Sequence, residues 1–98
     1  MIIDSTTYDR LQNIVIIINT TLSSPARYNN IIKNINCIYK RCIITAKYAA
    51  DNIKMQLLNI ILTLNKIIKR KCTDNNYILN ILIIVKSYIE KLINKITY

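Results

Sequence analysis

Several residue types are missing from this chain of 98 residues, which has no glycine, histidine, tryptophan or phenylalanine and a single proline, Pro25. Glycine normally supplies the positive-φ positions of tight turns, so its absence disfavours folds rich in β-hairpins. Without histidine the chain lacks the commonest general base at neutral pH, and without glycine it cannot form a glycine-rich phosphate loop. We therefore predict a protein with no enzymatic activity and no cofactor.

Acidic residues are also scarce, because five of them stand against 14 basic residues and leave a formal net charge of +9. Asp9, Asp51 and Asp74 fall in the predicted first turns of helices, where a carboxylate interacts favourably with the helix dipole. Four of the five acids have a capping or helix-terminus role, so we interpret them as structural and expect no carboxylate pair for acid–base catalysis.

Three cysteines in a chain without histidine do not form a zinc site. Cys37 and Cys42 are five residues apart, which places them about 140° from one another on a helix and prevents a disulfide between them. Cys42 falls on the apolar side of its helix and is predicted to be a core residue, whereas Cys72 follows Lys71 in a predicted loop. We expect free thiols in a reducing, intracellular compartment; a disulfide between two copies through Cys37 or Cys72 stays an open alternative.

Long apolar runs are missing as well. The longest are Ile14–Ile18 and Ile81–Val85, whereas a membrane-spanning helix needs about 20 apolar residues. The first residues, Met1–Ser5, contain no basic segment and do not resemble a secretory signal. Hydrophobic residues make up 52% of the chain, which is enough for one core, so residues 1–98 are predicted to form a single soluble helical domain.

Isoleucine favours strands by propensity, but here the apolar residues recur at intervals of three and four, which is typical of amphipathic helices. Helix one is predicted to begin at a capping box formed by Thr6 and Asp9 and to end within Asn19–Ser23. Helix two is predicted to begin with Ser24 as its N-cap and Pro25 in its first position.

A break is predicted near residues 49–52, where the apolar side weakens and Asp51 is a ready N-cap for helix three. One continuous helix from Pro25 to Lys71 stays an alternative, because no glycine or proline interrupts it. Thr73 or Asp74 is predicted to cap helix four. Together the pattern predicts an all-α antiparallel bundle of four helices, or of three with one long helix. The predicted apolar side of helix four is Tyr77, Ile78, Ile81, Leu82, Val85, Tyr88, Ile89, Leu92 and Ile96.

Isoleucine also occurs on more than one side of several helices, and a single small core cannot bury all of it. Large exposed apolar patches mark contacts with proteins or membranes, whereas scattered surface isoleucines need no function. We expect an interface, either in a homodimer that completes the bundle or in a groove for a partner helix. The candidate interface residues are Ile16, Ile17, Ile44, Ile83, Ile84 and Ile93.

The positive charge follows two patterns. A lysine stripe recurs every seven residues and consists of Lys33, Lys40, Lys47 and Lys54. A candidate basic patch gathers at one end of the bundle if helices two and three are antiparallel, and consists of Arg27, Lys33, Lys66, Lys69, Arg70 and Lys71. Tyrosines lie between these cations in the sequence, a pattern compatible with nucleic-acid binding. Because apolar surface lies next to them, the cations are also compatible with binding to an anionic membrane. A stripe of lysines is equally typical of a solvent-exposed helix side that has no function.

No family motif is recognised in the chain. Its length, basic charge and predicted four-helix layout resemble those of bacteriocin immunity proteins. Residues with GC-rich codons are scarce, which indicates an AT-rich genome. This codon bias, together with the predicted helical interaction bundle, resembles that of small host-modulating proteins of poxviruses. We expect a non-enzymatic, self-associating protein-interaction module, encoded by a virus and binding a host protein; nucleic-acid binding is the first alternative, and a membrane-binding or immunity-type bundle is the second.

Overall fold

A computed structural model describes residues 5–23, 28–71 and 74–96, and these form four α-helices. The helices are α1 (Ser5–Ser23), α2 (Tyr28–Tyr48), α3 (Asp51–Lys69) and α4 (Asn75–Ile96). The prediction of an all-α bundle of four helices is therefore confirmed. The predicted N-cap Ser24 and first-turn Pro25 of helix two lie outside the described residues, as does Cys72.

The break between the second and third helices is where the sequence predicts it, and the alternative of one continuous helix is wrong. Ala49 and Ala50 alone connect α2 to α3, and because the two helices pack against each other over such a short connection they are antiparallel. The N-cap of α3 is Ala50, in an extended conformation, and not Asp51. Its carbonyl accepts the first helical hydrogen bond from Lys54 N at 2.8 Å, so Asp51 already belongs to the first turn.

The opposite end of α3 shows how a chain without glycine ends a helix. Arg70 is the C-cap, and Lys71 follows it with a φ of 48°, the left-handed conformation that glycine usually adopts at this place. Asp74 then caps α4, because its Oδ1 accepts a hydrogen bond from Tyr77 N at 3.2 Å and its carbonyl accepts one from Ile78 N at 3.1 Å. Of the two predicted caps, Asp74 is thus confirmed.

The core lies along the axis of the bundle and consists mainly of isoleucine and leucine from all four helices. Ile93 belongs to this core, so its prediction as an interface residue is wrong. Ile17 is half-buried and packs against the same core. The fully buried large side chains are Leu11, Ile14, Ile18, Ile31, Ile35, Ile38, Leu57, Leu64, Ile78, Leu82, Ile89 and Leu92.

Each helix packs against the next one in the chain, and α4 packs against α1, but the four pairs do not pack equally closely. The α2–α3 pair packs most extensively, and α1 packs against both α2 and α4. The α3–α4 pair has far fewer close backbone contacts. The bundle is therefore more open along this seam, which we call splayed, than along the other three.

Polar contacts connect α1 to α2. Thr21 is fully buried; its hydroxyl donates to the carbonyl of Ile17 at 2.8 Å and accepts a hydrogen bond from Asn34 Nδ2 at 2.8 Å. At the other end of this seam the guanidinium of Arg10 lies 5.0 Å from the ring centroid of Tyr48, within cation–π distance. These contacts join α1 to α2 near both ends of their seam, which lies opposite the α3–α4 seam.

Candidate functional site

The splayed seam forms a groove, which we call the α3–α4 groove. It contains two neighbouring cavities of about 420 and 200 Å³ that share Thr63 in their lining. Buried or half-buried isoleucines and a valine form the floor, and more exposed side chains form the walls. The lining residues are Asn59, Ile60, Thr63, Lys66, Ile67 and Arg70 of α3 and Tyr77, Ile81, Ile84, Val85 and Tyr88 of α4.

Tyr77 and Tyr88 correct the sequence-based prediction. Both belong to the predicted apolar side of helix four, yet 51% and 37% of their surfaces are exposed. The periodicity places them correctly toward α3, but α3 does not approach closely enough to cover them. Ile84, between them along α4, is 61% exposed. The groove therefore presents two aromatic rings and an isoleucine to an incoming molecule.

One end of the groove is basic. Lys66, in the last turn of α3, and Arg70, its C-cap, line the larger cavity together with Tyr77. None of the described residues that line either cavity is acidic. Asp74 lies near Tyr77 at this end, and its carboxylate accepts the capping hydrogen bond of α4 from Tyr77 N. The electrostatics of the groove thus favour a ligand that carries negative charge next to an apolar surface.

A second surface lies on the outside of the α2–α3 pair, and we call it the α2–α3 face. Its hollow of about 250 Å³ is lined by Ile43, Ala46, Lys47, Lys54, Leu58 and Ile61. Beside it, Met55 and Leu62 are 69% and 58% exposed. This surface is not among the candidate sites predicted from the sequence, although Met55, Leu58 and Leu62 follow one another at intervals of three and four, a helical spacing, on the side of α3 away from the core.

The lysine stripe lies on the α2–α3 face. Lys33, Lys40 and Lys47 are exposed on the outer side of α2, seven residues apart. Lys54 belongs to α3 and is half-buried, so the stripe crosses the turn between the two helices. Lys47 and Lys54 face the same hollow from opposite sides.

The candidate basic patch is divided between the two surfaces. Lys66 and Arg70 line the α3–α4 groove. Lys69 lies on the outward side of α3, because consecutive residues are 100° apart on a helix, and it follows Leu62 by seven positions. Lys33 lies at the same end of the antiparallel pair, on α2. Arg27 lies outside the described residues.

The candidate apolar interface does not form one surface. Ile16, Ile44, Ile83 and Ile84 are exposed, but they belong to three helices. Ile44 lies near Arg10 and Arg41 at the α1–α2 seam, whereas Ile84 lines the α3–α4 groove. Ile93 is buried in the core, and Ile17 is half-buried against it.

The described thiols are not paired with each other. Cys37 is half-buried and Cys42 is buried, and both are free. Burial raises the pKa of the Cys42 thiol from its ordinary 9.0 to about 12, because the apolar core disfavours a thiolate. Cys42 is thus a core residue, as the sequence predicts.

Within residues 5–23, 28–71 and 74–96, no group of three or more histidine, cysteine or acidic side chains is arranged to hold a metal ion. In the same part of the chain no helix is both long enough and apolar enough to cross a membrane. No protein-family model matches the sequence, and the comparisons with curated proteins and with solved structures give no significant match.

Proposed function

We propose that this protein is a non-enzymatic interaction module that binds an amphipathic α-helix of another protein in the α3–α4 groove. The observation that carries the proposal is the open seam, where Tyr77, Ile84 and Tyr88 stand exposed beside an apolar floor. A groove between two helices is a recurring binding site for a helix with apolar residues at positions i, i+3, i+4 and i+7.

The dimensions of the groove suit a short helix. Tyr77 and Tyr88 are eleven residues apart on α4, which corresponds to about 16 Å, or three helical turns. Aromatic side chains are enriched among the residues that dominate binding energy, because they bury a large area at a small cost in conformational entropy. We expect the partner helix to place its apolar side between the two tyrosines.

The charge of the groove selects the partner. Lys66 and Arg70 favour glutamate or aspartate at the end of the partner helix that lies beside them. A second copy of this chain carries its own formal charge of +9 and meets the basic rim with repulsion. We therefore commit to an acidic partner from another protein; the homodimer and the viral origin stay predictions from the sequence.

The test is a selection from a display library of amphipathic helical peptides with randomised polar positions. We expect the selected peptides to be acidic and to bind the unmodified protein in a fluorescence-anisotropy titration. Ile84→Glu is expected to weaken binding by about 30-fold or more, since it buries an unpaired charge at a central contact. The matched control is Ile16→Glu, because Ile16 is equally exposed (59%) but lies on α1.

Two results of the selection would contradict the proposal. One is a selection that yields no binding peptide. The other is a set of peptides that bind the Ile84→Glu and Ile16→Glu variants equally well, which would place the binding site elsewhere. Concentration-dependent self-association that Ile84→Glu abolishes would assign the groove to a second copy instead, and light scattering measures it.

A further inference from the structure

We infer that the α2–α3 face binds the surface of an anionic membrane, with α2 and α3 lying in the plane of the interface. This binding is separate from the proposed binding of a partner helix and uses the other surface of α3. Two observations carry it: a row of exposed apolar side chains on α3, and a concentration of positive charge on the same two helices.

The apolar row consists of exposed side chains that point away from the core of the bundle. Met55, Leu58 and Leu62 follow the outer side of α3, and Ile43 stands opposite them on α2. The hollow that Ile43 and Leu58 line, beside Met55 and Leu62, is almost purely apolar apart from the lysines at its edge. Side chains of this kind enter the boundary between lipid headgroups and acyl chains when a helix lies flat on a bilayer.

The charge of the molecule is concentrated on these two helices. α2 has four basic residues and no acidic one, and α3 has three basic residues and Asp51, so this pair carries six of the nine net charges. α1 has one residue of each sign, and α4 has three basic residues and one acidic residue. Lys66 lines the α3–α4 groove and Arg41 lies at the α1–α2 seam. The remaining lysines of the two helices lie on the face that exposes Met55 and Leu62, which an anionic surface therefore attracts.

The arrangement of the lysines matches an interfacial helix pair. Lys47 and Lys54 border the hollow, Lys40 lies two turns from Lys47 along α2, and Lys69 continues the row of Met55 and Leu62. A lysine can lay its aliphatic chain on apolar surface and extend its ammonium group to the lipid headgroups.

Nucleic acid fits this face less well. Binding to single strands relies on exposed rings that stack on bases. Tyr39 is half-buried against the core. Tyr48 is 59% exposed, but the cationic groups of Arg10 and Lys47 lie 5.0 and 5.5 Å from its ring centroid and compete with a base for it. Exposed Met55 and Leu62 contribute nothing to contacts with phosphates, but they do contribute to insertion between lipids.

The test is co-sedimentation of the full chain with vesicles of phosphatidylcholine alone or with about one third phosphatidylserine. We expect binding to the anionic vesicles only, and weaker binding as NaCl rises from about 50 to about 200 mM. Replacing Lys47→Gln and Lys54→Gln together is expected to weaken binding about 30-fold, at about fivefold per lysine. Lys91→Gln with Lys95→Gln on α4 is the control, since it removes the same charge elsewhere.

A second arm tests the apolar contribution. Because the chain has no tryptophan, Met55→Trp introduces a single fluorophore. Its emission is expected to shift to the blue on addition of anionic vesicles, whereas Ile16→Trp on α1 should not shift. The pair Met55→Ser and Leu62→Ser is expected to weaken sedimentation, and Ile83→Ser with Ile84→Ser to leave it unchanged.

The inference is overturned if the protein does not sediment with anionic vesicles at low salt, or if the substitutions on the α2–α3 face act no more strongly than their controls. Binding to mixed duplex and single-stranded oligonucleotides, lost with Lys47→Gln and Lys54→Gln but not with Met55→Ser and Leu62→Ser, would assign the face to nucleic acid. None of these results depends on whether a helix binds in the α3–α4 groove.

Discussion

Among single residues, the buried polar ones show how this apolar chain fixes the position of one helix against another. Thr21 is fully enclosed, and its hydroxyl both donates to Ile17 and accepts from Asn34 on the next helix. A buried polar group whose hydrogen bonds are made costs little, whereas an orphaned partner costs its desolvation. The sequence predicts the burial of Leu11 or Ile14 from periodicity, but it does not predict this pairing, which joins residues 13 positions apart.

Thr21→Val is expected to lower the free energy of unfolding by about 1–3 kcal/mol, because the amide of Asn34 loses its acceptor inside the bundle. Urea denaturation followed by circular dichroism measures this change. Thr20→Val is the matched control, since the hydroxyl of Thr20 bonds only to the carbonyl of Ile16 at the exposed surface, and a change within about 0.5 kcal/mol is expected there. Equal effects of the two substitutions would contradict the account.

Because of Cys42, the free energy of unfolding depends on pH in the alkaline range. Its pKa of about 12 in the folded protein lies above the ordinary 9.0 of an unfolded thiol, so the folded state holds the proton more tightly. The stabilisation is fully present below pH 9 and is lost as the pH rises toward 12, at up to about 1.4 kcal/mol per pH unit.

The measurement compares the unmodified protein with Cys42→Ala, which lacks the titrating thiol but keeps every tyrosine and lysine. The difference between their free energies of unfolding is expected to be constant from pH 7 to pH 9 and to shift against the unmodified protein above that. A difference that stays constant up to pH 11 would show that the thiol titrates normally.

At the scale of helices and turns, the sequence predicts most of what is observed, because the 3.6-residue period and the capping residues are local properties. The number of helices, the break after Tyr48 and the cap at Asp74 are confirmed. The N-cap of α3 is one residue earlier than predicted. The side chain of Asp51 is the better N-cap, but the chain must reverse within Ala49 and Ala50. The backbone is therefore extended at Ala50, which becomes the N-cap.

The end of α3 offers a prediction about the missing glycine. Lys71 adopts a φ of 48°, where a Cβ atom is unfavourable. Lys71→Gly is therefore expected to raise the free energy of unfolding by about 0.5–1 kcal/mol. Arg70→Gly, one residue earlier in the right-handed region, is expected to lower it by a similar amount. Urea denaturation distinguishes the two, and a loss of stability in both variants would contradict the role of the left-handed cap.

For the whole molecule, the sequence predicts which side of each helix is apolar but not which neighbour covers it. The periodicity predicts Tyr77 and Tyr88 on the apolar side of their helix, but the splayed α3–α4 seam leaves them exposed. Met55 and Leu62 are not predicted for a related reason: a pattern of one buried side per helix does not include a second apolar row outside the core. Both candidate surfaces therefore emerge only when the four helices are assembled.

The uneven distribution of charge between the helix pairs has a kinetic consequence. With six of the nine net charges on α2 and α3, the positive charge is displaced toward one side of the molecule, and a negatively charged target exerts a torque on it before contact. Such orientation raises the rate of productive encounters rather than the lifetime of the complex, and it weakens steeply as ionic strength rises. We therefore expect an anionic surface to meet α2 and α3 first, which would leave the α3–α4 groove, around the side of α3, accessible to a second molecule.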